Sequence, residues 1–200
     1  MIAVVNYGLG NLHSVQKAID FAGGSARVTD DPETILQAGK VVLPGVGAFD
    51  DGMRGLVSLG LDAVIKEVVH LQIPLLGICL GMQLFFEESS EQGMHQGLGL
   101  MRGQVKAFQG PGVKVPQIGW NQLDLIKTSP LLKGLHQGCY VYFNHGYYCS
   151  PADDTDEITA TEYGIKYTSA VQRGNLFGVQ FHPEKSQKIG LQIIRNFVEL

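Results

Sequence analysis

Residues 74–88 read Pro74-Leu-Leu-Gly-Ile-Cys-Leu-Gly-Met-Gln-Leu-Phe-Phe-Glu-Glu88: an apolar run, a break at Gly77, Cys79 and Gly81, then apolar residues again at helical spacing. A cysteine between two glycines has two readings. Free cysteine is a small hydrophobe that fills buried gaps. Alternatively, Gly77-Ile78-Cys79-Leu80-Gly81 has the form G-x-nucleophile-x-G at the end of an expected strand and the start of an expected helix, which is the setting of a nucleophile elbow. Such a turn strains the nucleophile's backbone and brings its neighbours too close for a Cβ, which explains the glycines. The unpaired N–H groups of the following helix favour thiolate over thiol. The N–H of Leu80 supplies half of an oxyanion hole.

Around this stretch, short continuous apolar runs read as strands buried on both faces: Ile2 to Val5, Ala26 to Thr29, Val41 to Leu43 and Leu75 to Ile78. Between them, Leu12, Val15, Ile19 and Ala22 recur at three and four, as do Leu61, Val64, Ile65, Val68 and Val69. Strand and amphipathic helix in alternation imply parallel strands with crossovers. After Gly93 the segments shorten: Tyr140 to Phe143, Ile158 to Thr161, and Ser169 to Gln172 facing Leu176 to Phe181 across an Arg173-Gly174-Asn175 turn. Ser186 to Leu200 carries Ile189, Ile193, Ile194 and Phe197 at helical spacing. The expected fold is α/β: one domain over residues 1–200, a mostly parallel central sheet flanked by helices, with added antiparallel strands in the C-terminal half.

Composition limits the function classes. At 200 residues and 44% hydrophobic, the chain can bury a full core without metal or disulfide staples. Its net charge is −4 and its 15 Lys and Arg residues are scattered, so no nucleic-acid or membrane-surface partner is expected. Cys79, Cys139 and Cys149 form no C-x-x-C pair, which suits a reducing cytoplasm. The apolar run Met1 to Val5 is too short for a signal core or a membrane span. His13, His70, His95 and His136 lack ligand spacing, so no metal and no cofactor are expected. Cys139 and Cys149 read as structural, and His145 reads equally as a loop residue or as a hydrogen-bonded histidine in a β-rich layer.

A thiol nucleophile needs a base. His182-Pro183-Glu184 follows the expected strand Leu176 to Phe181 directly. Proline holds His182 extended, and an extended chain puts residues i and i+2 on one side, so the Glu184 carboxylate can orient the imidazole. Pro44-Gly45-Val46-Gly47 ends the third strand, where such folds donate a second oxyanion N–H.

Together, Pro-Gly-Val-Gly at 44–47, Gly-Ile-Cys-Leu-Gly-Met-Gln at 77–83 and His-Pro-Glu at 182–184 resemble the class I (triad) glutamine amidotransferases, across nearly the whole chain. Asn6-Tyr-Gly-Leu-Gly-Asn-Leu12, Gly119-Trp-Asn121 and Lys185-Ser186 resemble the glutaminase subunits of imidazole glycerol phosphate synthase in histidine biosynthesis. The resemblance implies a flavodoxin-like fold and hydrolysis of L-glutamine to glutamate and ammonia through a Cys79 thioester. It further implies His182 as proton donor and acceptor steadied by Glu184, and an oxyanion held by the N–H groups of Val46 and Leu80. By the same likeness, Gly47, Gln83, Gly146 and Tyr147 would hold glutamine, and Asn11, Trp120 and Lys185 would meet a (β/α)8-barrel cyclase subunit in a heterodimer. Asn6 stands where these families carry aspartate, and Asn144-His145-Gly146 where valine, histidine and serine are usual.

Two glycines flanking Val46 would let that peptide turn its N–H toward or away from the site, which makes it the expected switch on partner binding. The rival readings are a dinucleotide-binding module at Gly8-Leu-Gly10, a partner-independent γ-glutamyl thiol hydrolase and a regulatory subunit. The first fails at its third glycine, where His13 stands, and the same pattern at Gly97-Leu-Gly99 fails at Arg102.

Overall fold

The computed structural model describes residues 1–110 and 113–200. Strand and helix alternate through β1 (Ile2–Val5), α1 (Leu12–Phe21), β2 (Ala26–Thr29), α2 (Pro32–Leu36), β3 (Lys40–Gly45), α3 (Phe49–Ser58), α4 (Leu61–His70) and β4 (Leu75–Cys79). A single helical turn, α5 (Leu80–Gln83), then leads into β5 (Phe86–Ser89), β6 (His95–Gln96), β7 (Met101–Ala107), β8 (Gln117–Gln122) and β9 (Asp124–Leu125). β10 (Tyr140–His145), β11 (Tyr147–Pro151), β12 (Glu157–Glu162), β13 (Lys166–Arg173) and β14 (Leu176–Val179) follow, and α6 (Gln187–Glu199) comes last.

The main sheet runs β2-β1-β3-β4-β14-β13-β11-β7-β5-β6, with β12 against β13 and β9. The first five strands are parallel. From β14 onward the pairings are antiparallel except β5 with β7. β8 and β10 form a separate antiparallel pair. Period-two alternation divides the core between the two faces of the parallel half. Ile2, Val4, Val42, Leu76 and Ile78 pack with Val15 and Ile19 of α1 and Ile193 and Phe197 of α6. Ala3, Val5, Val41, Leu43 and Leu75 pack with Phe49 and Leu56 of α3 and Leu61, Ile65 and Val68 of α4. β4 is buried at every residue, so its near-continuous apolar sequence is what a central parallel strand requires.

Three expectations are corrected. β2 is not buried on both faces: it is the edge strand, and only Thr29 at its end is buried. No long helix follows the elbow; after Gln83 the apolar residues Phe85 and Phe86 enter the sheet region, because β5 pairs with β7. β14 stops at Val179 rather than Phe181. The turn between β13 and β14 holds as expected, with Arg173 opposite Leu176. Among the described residues no helix is long and apolar enough to cross a membrane.

Candidate active site

Open α/β sheets bind ligands beyond the carboxyl ends of their strands, where the strand order reverses. Here β1 is followed in sequence by β2 on one side and β3 on the other, and the candidate residues lie at the ends of β3, β4 and β14. Register levels these ends: Gly45 sits beside Cys79, and Ile78 beside Val179.

Cys79 adopts φ 55°, ψ −110°, a conformation that costs a side-chain-bearing residue on the order of 1–3 kcal/mol. Close packing imposes it. A Cβ on Gly81 would lie 1.8 Å from the Leu43 carbonyl oxygen, and one on Gly77 2.5 Å from the Phe85 ring. The one-turn α5 offers little macrodipole, and the Cys79 side chain takes no capping hydrogen bond from the N–H groups at its start. Beside it, Gly47 takes φ +105° with open space where a Cβ would stand, and Val46 is 38% exposed. Tyr7 donates from its hydroxyl to the Pro44 carbonyl at 2.7 Å and thereby ties the end of β3 to the core.

His182 and Glu184 meet, though not as neighbours on an extended strand. His182 is extended (φ −100°, ψ 95°), and Pro183–Lys185 forms a 3-10 turn that folds the carboxylate back onto the ring. Nδ1 lies 2.8 Å from Glu184 Oε1, and both side chains are almost fully buried. Nδ1 therefore carries its proton toward Glu184, while Nε2 has no hydrogen-bond partner within the chain. The backbone is pinned: His182 N–H donates to the Tyr142 carbonyl, and the Ser186 hydroxyl donates to the His182 carbonyl while accepting from Tyr142 N–H. Burial opposes a charge on the ring, but hydrogen bonding and charge attraction from Cys79 and Glu184 outweigh it, and the His182 pKa is pushed up to about 9.

That shift has a definite sign. A histidine whose folded pKa exceeds its unfolded value near 6.5 gives stability that is complete below that value and is lost as pH rises through 9. Urea unfolding is expected to lose stability between pH 7 and 10 more steeply in the parent than in His182→Asn. The difference should reach at most about 3 kcal/mol.

A cavity of about 210 Å³ opens at these strand ends, lined by Val46, Gly47, Cys79, Leu80, Gln83, Glu91, Pro116, Asn144, His145, Gly146 and Tyr147. It brings together the expected oxyanion and glutamine-loop residues around the thiol. Gln83 Nε2 donates to the Tyr147 carbonyl, joining α5 to β11. A Cβ added to Gly146 would rest 3.4 Å from Val115 Cγ1, so the glycine here, in place of serine, is not demanded by space. A larger hollow of about 330 Å³ between β11, β12 and β13 contains none of the candidate residues.

His145 is both: it lines the cavity and is buried in the β-rich layer, where Nδ1 donates to the Tyr147 carbonyl at 2.7 Å and burial pushes its pKa down to about 4. All three cysteines are buried, and of them Cys79 lines the cavity. Asn6 Oδ1 accepts from Gly8 N–H. Among the described residues no cluster of His, Cys, Asp or Glu could hold a metal.

Trp120 and Lys185 fall on one patch. The Trp120 ring lies edge-on to Tyr142 at 6.1 Å, and Lys185 Nζ is 5.9 Å from the same ring. Asn11 caps the start of α1, which packs on the turn carrying Lys185, and its side chain makes no capping bond there. Sequence reading missed Glu91 and Gln180. Glu91 is the one carboxylate among the described residues of the cavity wall, it accepts from Phe49 N–H at 2.8 Å, and nothing in Ser89-Ser90-Glu91 marks it.

Residues 4–200 match the family Glutamine amidotransferase class-I. The chain is 50% identical to the imidazole glycerol phosphate synthase subunit HisH of Moorella thermoacetica, covering all of this chain and 94% of that one. It is 48% identical to the same subunit of Syntrophotalea carbinolica over the whole of both chains, and 47% identical to that of Archaeoglobus fulgidus over 98% of it. Among solved structures, PurLQS of Thermotoga maritima shares the fold with a TM-score of 0.77 at 19% identity, over 99% of this chain and 97% of that one. The strained thiol, the buried imidazole–carboxylate pair and these likenesses agree, and the chain belongs to the class I glutamine amidotransferases.

Proposed function

We propose that this chain is the glutaminase subunit of an imidazole glycerol phosphate synthase in histidine biosynthesis, with Cys79, His182 and Glu184 as its catalytic triad. The observation that carries the reading is the buried His182–Glu184 pair beside a strained Cys79 at the floor of a cavity lined by Gln83, Gly146 and Tyr147. Relatives of nearly equal length carry that subunit's name.

Cys79 attacks the side-chain carbonyl carbon of glutamine, forming a C–S bond, and the oxyanion rests on the N–H groups of Val46 and Leu80. With its pKa raised to about 9, His182 is an imidazolium at neutral pH, ready to protonate the departing nitrogen as the C–N bond breaks and ammonia leaves. The neutral imidazole then takes a proton from water, which attacks the thioester; the C–S bond breaks and glutamate is released. Glu184 holds Nδ1–H throughout. Gly47, Gln83, Gly146 and Tyr147 hold glutamine's amino-acid end, and Glu91 supplies a carboxylate for its α-ammonium.

A subunit needs its partner. Ammonia freed into neutral water is protonated and no longer nucleophilic, which favours direct passage to a (β/α)8-barrel cyclase docked over Asn11, Trp120 and Lys185. Gly45 and Gly47 flank Val46, and with glycine on either side its peptide can turn its N–H on docking. Glutamate release is expected to rise on the order of 10–100-fold when the cyclase and its nucleotide ligand are added. Equal release from the chain alone would assign it to a partner-independent thiol hydrolase.

A further inference from the structure

We infer that Gln180 is a positioning residue for the Cys79 thiolate, its amide turned by Gln83 so that its N–H groups stabilise the sulfur anion. The inference rests on the hydrolase reading of Cys79 given above.

Gln180 is fully buried, one residue beyond Val179, whose register partner is Ile78, so it stands beside Cys79 at the carboxyl end of the next strand. Its own backbone N–H is taken by the Ser169 carbonyl. A carboxamide has a donor end and an acceptor end of nearly equal shape, and its neighbours decide which way it faces. The Tyr147 carbonyl can only accept, so the Gln83 NH₂ faces it, at 3.1 Å. The same NH₂ gives its second proton to Gln180 Oε1 at 3.0 Å. With its oxygen occupied, Gln180 turns its NH₂ to Cys79 Sγ at 3.7 Å. The reverse orientation would set two NH₂ groups against each other and a carbonyl oxygen against sulfur.

Such a bond is weak to a thiol and stronger to a thiolate, because charge assists it. It therefore favours ionisation of Cys79. Because the donor direction is inherited through Gln83 from Tyr147, a loop of the cavity wall and the nucleophile share one hydrogen-bond chain. Nothing in Gly178-Val-Gln-Phe181 announces this role; it depends on register and on a bond between residues 97 positions apart.

The titratable groups that feel the charge of Cys79 are His182, backed by Glu184, Tyr7, Tyr167 and Cys149; His145 and Glu91 line the same cavity, and the Asn144 carbonyl lies 3.9 Å from Sγ. All are shared by parent and variants, so a change in Cys79 titration between them reports the amide.

The test is the pH dependence of Cys79 alkylation by iodoacetamide in the full chain, read by mass spectrometry, with buried Cys139 and Cys149 as internal references. The midpoint is expected to rise by about one pH unit in Gln180→Met and by less in Gln83→Met. In the double variant it should rise no further than in Gln180→Met alone, since the relay ends at Gln180. An unchanged midpoint in Gln180→Met, or additive shifts in the double variant, overturns the inference. Circular dichroism checks folding; if Gln180→Met does not fold, Gln180→Asn, which adds no charge and draws the amide back from the sulfur by one methylene, is read by the same criterion. Protection of parent Cys79 by glutamine tests the underlying reading separately: without protection the hydrolase assignment fails, while the midpoint comparison still judges Gln180.

Discussion

Replacing Cys79 with alanine is expected to bring glutamate release, measured with the cyclase and its nucleotide ligand present, down by roughly 10⁴-fold or more. The sulfur is the only atom lost, and alanine keeps a Cβ at φ 55°, so the strain of the elbow stays and stability should change little. Cys79→Gly separates chemistry from strain: it should be equally inactive yet more stable in urea by about 1 kcal/mol, because glycine accepts a positive φ. Retained activity in Cys79→Ala would remove the thioester from the mechanism, since no other cysteine lines the cavity. A nucleophile on a strained turn thus sacrifices some stability to set its sulfur, in a residue only 6% exposed, on the cavity wall.

The second large effect concerns folding. Gly81→Ala places a methyl group 1.8 Å from the Leu43 carbonyl oxygen, which belongs to a central strand buried from Val41 onward. Backbone cannot yield there as the end of a flexible side chain could, so β3 and β4 must separate or the elbow must open. A loss of about 4 kcal/mol or more, or failure to accumulate as soluble protein, is expected. Gly146→Ala is the control: its methyl would meet Val115 at an ordinary 3.4 Å, and its cost should stay within about 0.5 kcal/mol. Equal stability of Gly81→Ala and the parent would show that β3 and the elbow are not packed as described.

Much of the parallel half is legible in the chain because its elements are decided locally. Ile2–Val5 and Leu75–Cys79 are apolar at every position, as strands covered on both faces must be, and the α1 and α4 patterns repeat at three and four. The antiparallel half is harder to read. Met101–Ala107 includes Arg102, Gln104 and Lys106, and it is a strand because β5 and β11 pair with it on either side. The stretch after the elbow misleads for the same reason: the residues from Leu80 to Phe86 have helical spacing, but sheet pairing claims Phe86 after one turn.

The sequence alone determined the chemistry of the elbow, because a cysteine between glycines at a strand end has few physical uses, and it placed a carboxylate two residues from an imidazole. Only the tertiary structure decided which groups share the site. Glu91 reaches the cavity from a loop, Gln180 reaches the sulfur through strand register, and the 3-10 turn at Pro183–Lys185, not an extended strand, folds Glu184 onto His182. Local pattern fixes what a side chain can do; contacts between residues a hundred positions apart fix what it faces, and these are set by how the strands align.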